Sequence, residues 1–138
     1  MRTKRALAGF LILLVAGIGI TTASAQKVHA PKQIWQAMVA GTSDLQDMTA
    51  ALMVFDMARI ESTANELATR EEFISKIDEL PDAVKEGHAK VAEAAQGVAV
   101  AAASGEEQEV ATALSQVVSA CTSCHYDLRD KKRREKME

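Results

Sequence analysis

Aromatic side chains are scarce in this sequence, with three Phe, one Tyr and one Trp in 138 residues. Rings bury ~150–250 Å² each and dominate most cores, so the interior of this chain has to be filled by other means. No alternating β-branched run occurs anywhere, which argues against strands and sheets. Internal repeats, linkers and low-complexity tracts are also missing, so nothing points to a second unit. The two cysteines, Cys121 and Cys124, lie far from the N-terminal segment, and lipid attachment there is not indicated. Basic residues do not outnumber acidic ones, with 16 Lys and Arg against 19 Asp and Glu, so nucleic acid is not an expected partner.

What is present begins with a targeting pattern. Met1 to Arg5 makes a basic start, Ala6 to Ile20 an apolar run, and Thr21 to Ala25 ends in the small-x-small form that signal peptidase accepts. Residues 1–25 are expected to be a cleaved secretory signal, with Gln26 the mature N-terminus and export through the general secretory route to the periplasm. The apolar run is short for a span of ~20 residues, so no membrane span is expected once the signal is removed. Residues 26–138 suffice for a single domain with one core. The signal holds Arg2, Lys4 and Arg5 and no acid, so its removal takes the formal charge from -3 to -6.

The mature sequence is rich in Ala, Glu, Gln, Lys, Met and Leu, which predicts an all-α fold. A first helix is expected from about Pro31 to Leu52, with Ile34, Met38, Gly41, Leu45, Met48 and Leu52 as its seam. Ser43 to Gln46 could instead cap a new helix, but one continuous helix is favoured. A short second helix carries Met57, Ile60, Ala64 and Leu67, and the charged stretch Arg70 to Leu80 reads as a connection. Leu80-Pro81-Asp82 opens a third helix to about Ala103, with Val84, His88, Val91, Ala95, Val98 and Ala102 on one stripe before Ser104-Gly105. The fourth starts near Glu106 and places Leu114, Val118, Cys121, His125 and Leu128 at helical spacing. Its basic end, Lys131 to Lys136, reads as a solvated tail. Short connections then predict an antiparallel up-down four-helix bundle with any cofactor lodged between facing stripes.

Cys121-Thr-Ser-Cys124-His125 has the Cys-x-x-Cys-His form of c-type haem attachment. Cysteines three apart on a helix can each bond one vinyl group of a porphyrin, and the following histidine can reach the iron. At ~100° per residue, all three lie within about a 100° arc. One covalent haem c is therefore expected, with Cys121 and Cys124 as thioether attachments and His125 as an axial ligand. A tethered haem would act as part of the core. A thioredoxin-like pair needs a βαβ scaffold, a zinc site needs more ligands than His29 and His88 would add, and a plain disulfide leaves His125 unexplained. These remain lesser readings.

The exported leader, four helices and a single Cys-x-x-Cys-His near the C-terminus resemble the class II cytochromes c, which include cytochrome c prime and methionine-ligated low-spin relatives. In that family the motif commonly runs on as Cys-His-x-x-aromatic-Arg; here it is Cys124-His125-Tyr-Asp-Leu128-Arg129, with leucine for the aromatic residue. A first-helix Arg-Gln-x-x-distal pattern has its counterpart in Trp35-Gln36-Ala37-Met38, with Trp35 for arginine. The resemblance implies Met38 as the distal axial ligand and Arg129 as a contact of a haem propionate. Met48, on the same stripe, and His88 are lesser candidates for that ligand, and a histidine on a Val/Ala face is expected at the boundary with a nitrogen in water. It implies an electron carrier that exchanges electrons with redox partner proteins and is not an enzyme, with no distal His/Arg pair for peroxidase chemistry. The alternative is a five-coordinate, cytochrome c prime-like protein binding NO or CO. A homodimer through the first two helices is a further implication.

Overall fold

Local signals in the chain set several of the helix ends, and packing sets the others. The computed structural model describes residues 30–137; the expected signal, the mature terminus at Gln26 and His29 lie outside the described residues. Four helices follow one another, α1 (Ala30–Met53), α2 (Met57–Ser75), α3 (Asp82–Ser104) and α4 (Glu107–Glu135). The all-α expectation holds, and among the described residues there is no strand.

The α1 helix is continuous through Ser43, because its buried residues Ala37, Met48 and Ala51 lie on one side across the supposed break. Asp56 starts α2 by accepting a hydrogen bond from the Arg59 backbone N–H at 3.1 Å, the standard side-chain cap. Pro81 precedes α3 with φ -57°, and Gly105 ends it with φ 78°, donating its N–H to Ala102. That left-handed turn is one that glycine adopts without steric cost. Glu107 and Glu109 sit in the first turn of α4, where carboxylates suit the positive end of the helix dipole.

Two expectations need correction. The second helix is not short: it runs to Ser75, and only residues 76–81 connect it to α3. The charged look of Arg70 to Ser75 concealed a buried stripe of Leu67, Ala68, Glu71 and Ile74, in which Glu71 is tolerated because it finds a partner. On α4 the inward stripe is Val110, Ala113, Leu114 and Val117, whereas Val118 is about half exposed. Helix α4 is therefore rotated by one position, which turns His125 and Leu128 to the edge of the interface. The basic run ends α4, which reaches Glu135, and its described residues Arg133, Arg134 and Lys136 are exposed, as a solvated end requires.

The core falls into two clusters. The larger takes Met48, Ile60, Leu67, Val98, Val110 and Val117 together with many alanines; the smaller holds Ala37, Ile74, Ile77 and Leu80. Packing is most extensive between α2 and α3 and between α3 and α4; of the helix pairs that touch, α1 and α4 pack least. No described helix is long and apolar enough to cross a membrane.

Candidate cofactor site

A cavity of about 340 Å³ opens where α1 and α4 pack least. Its walls draw on both core clusters, Leu67, Val91 and Val117 from one and Ala37 from the other. Ile34, Leu45, Val84 and Leu128 add further apolar surface. The size lies within the ~300–1,000 Å³ usual for small-molecule and cofactor sites.

Four of the five expected site residues border this space: Met38 from α1, and Cys121, Cys124 and His125 from α4. Met38 Sδ stands 3.4 Å from His125 Nε2 although the two residues are 87 apart in sequence. Both are exposed at the rim. The fifth, Arg129, lies away from the cavity, with its guanidinium over the Tyr126 ring at 5.8 Å. Met48 is excluded as a ligand candidate on position, since it is fully buried in the larger cluster and does not line the cavity.

The two cysteines are free thiols, each half-buried. Desolvation pushes the Cys121 thiol up from its ordinary value, with the Glu71 carboxylate and Cys124 adding to the effect. Burial likewise raises Cys124; Asp127 reinforces the shift and Lys90 opposes it. Both are neutral thiols near pH 7. Cys124 presses against α3 at Gly87, where a Cβ would fall 2.5 Å from Cys124 Sγ. Glycine there is what lets the two helices approach. Gly41 also lines the cavity, and a Cβ on it would make ordinary contact with Leu67 at 3.5 Å.

No family model, no curated protein and no solved structure matches the chain. The site therefore has to be read from its own chemistry.

His88 is the residue that sequence reasoning misplaced. A histidine on a Val/Ala face reads as a boundary residue with a nitrogen in water, yet His88 is buried and its Nδ1 lies 2.5 Å from Glu71 Oε2. Glu71 was hidden in the supposed connection, so its role as partner had no signal except the spacing Leu67, Glu71, Ile74. Both side chains border the cavity. Arg70, next to Glu71, forms an ion pair with Asp44 of α1, and its Nε approaches Glu71 Oε1 at 3.8 Å. Among the described residues no group of three or more His, Cys, Asp and Glu side chains converges to hold a metal ion without a prosthetic group.

Proposed function

We propose that the chain is an exported, periplasmic electron carrier of the class II cytochrome c type, holding one haem c. Cys121 and Cys124 would carry the thioether bonds, His125 one axial position and Met38 the other. The observation that carries this reading is the 3.4 Å approach of Met38 Sδ to His125 Nε2 at the mouth of a cavity that both motif cysteines border. An antiparallel up-down order of the helices belongs to the same reading, since short connections favour it.

The residues fit such a group. The cavity is lined mainly by aliphatic side chains, takes wall residues from both core clusters, and is bordered by both thiols from one helix. Met38 is 39 % exposed, and its three rotatable bonds would let the sulfur adjust to a metal held beside His125. When bound, the haem supplies a one-electron couple. The protein residues tether it, exclude water from it and present a soft sulfur that favours the reduced iron. Its partners would be larger redox proteins, and no substrate would be turned over by the chain itself.

The test is the visible spectrum of haem-loaded protein, oxidised and reduced, with and without carbon monoxide, alongside Met38→Ala. The expected result is a low-spin spectrum that ignores carbon monoxide and turns high-spin in the variant. A high-spin spectrum that shifts with carbon monoxide in the unmutated protein would overturn the electron carrier and point to a gas-binding protein with an open iron face. Absence of covalent haem after expression with a c-type maturation system would reject both.

A further inference from the structure

The cavity is apolar except for a few groups, and two of them are buried against its wall. Glu71 is 4 % exposed and His88 8 %. Helix packing alone gives no reason to keep a carboxylate there, since burying one is costly unless it is paired. Here it is paired twice. His88 Nδ1 meets Glu71 Oε2 at 2.5 Å, and Arg70 Nε stands 3.8 Å from Glu71 Oε1 without a hydrogen-bond partner of its own. Arg70 is in turn held by Asp44. A row of four groups thus crosses from α1 through α2 to α3.

Asp44 pairs with Arg70, and His88 Nδ1 faces Glu71 Oε2. The Glu71 carboxylate is thus brought to the cavity wall. It is near enough to Cys121 for its field to help raise that thiol. The carboxylate also fixes the imidazole, leaving Nε2 as the remaining polar atom that His88 offers at the cavity.

We propose that Glu71 and His88 are the inner polar contact of the haem, and that the buried Glu71 carboxylate holds its reduction potential down. This rests on the haem reading above. The apolar walls and the Met38 sulfur favour reduced iron; a fixed negative charge in a low-dielectric interior favours the more positive, oxidised state. The two influences oppose each other, and the chain sets the balance from α2, away from both axial residues.

The experiment is a redox titration of the haem-loaded Glu71→Gln variant. Reduction should become at least tenfold more favourable, about 59 mV for one electron. Glu61→Gln removes the same charge from the exposed face of α2, ten residues or about 15 Å away along the helix, and should change the equilibrium less than twofold. A second measurement needs no variant: in the unmutated protein labelled at histidine nitrogen, the His88 ring signals should shift between reduced and oxidised forms and show the proton on Nδ1. An unchanged potential in Glu71→Gln, or His88 signals indifferent to iron oxidation, overturns the proposal while leaving the haem reading intact. If Glu71→Gln fails to fold, the nuclear magnetic resonance result decides. Failure to acquire haem at all overturns both.

Discussion

The thiols of Cys121 and Cys124 carry a consequence for the haem-free chain. Burial holds both above their ordinary value, so the folded state retains protons that the unfolded chain, half-ionised near about pH 8.5, gives up first. Rising pH then favours the unfolded state, and the stability present below that pH declines as the folded values are approached. Urea midpoints of the reduced apoprotein should fall between pH 7.5 and 9.5, and the Cys121→Ser/Cys124→Ser double variant should fall less. Parallel falls in the two proteins would show that the shifts do not reach stability. At this scale Cys-x-x-Cys-His is legible from spacing alone, because it is a local pattern. The Glu71 and His88 pair was not, because it joins residues 17 apart through tertiary burial; a charged residue inside a solvent-like segment carries no local sign that a partner awaits it on another helix.

Between elements, a close approach that bears on the site is α3 against α4 at Gly87. Replacing Gly87 with alanine gains about 1 kcal/mol of helix propensity, but the added carbon would sit 2.5 Å from Cys124 Sγ and force a shift of the kind that costs ~1–3 kcal/mol. Gly97, on the same helix, has nothing within 4 Å of an added Cβ and is exposed. Gly97→Ala should therefore raise stability by up to ~1 kcal/mol, while Gly87→Ala lowers it and, on the proposed haem reading, reduces the yield of covalent haem. Chemical denaturation and the haem-to-protein absorbance ratio check both, and equal stabilisation by the two substitutions would refute the close contact. The same contrast explains what was readable about the helices. The α3 bounds follow from Pro81 and Gly105, whose backbone preferences are local. The end of α2 and the rotation of α4 depend on which residues face neighbours, and Val117 and Val118 are indistinguishable until α4 is packed.

For the whole molecule, charge and cavity make different demands on ionic conditions. The expected mature chain carries -6, since loss of the expected signal removes three cations from a total of -3, and most charged side chains among the described residues are exposed. A partner with a basic docking patch would be steered toward it, an effect worth ~10–10³ in association rate at low ionic strength. Salt shortens the reach of that field from ~30 Å at 0.01 M to ~3 Å at 1 M. The second-order rate of electron transfer to such a partner should fall at least tenfold over that range. The reduction potential, if governed by Glu71 inside the cavity, should barely move, because mobile ions cannot enter between that carboxylate and the site. Stopped-flow rates and redox titrations on the same samples separate the two. A rate independent of salt would remove the acidic surface from partner recognition, and a potential that climbs with salt in parallel with the falling rate would place the controlling charge on the surface and not at Glu71.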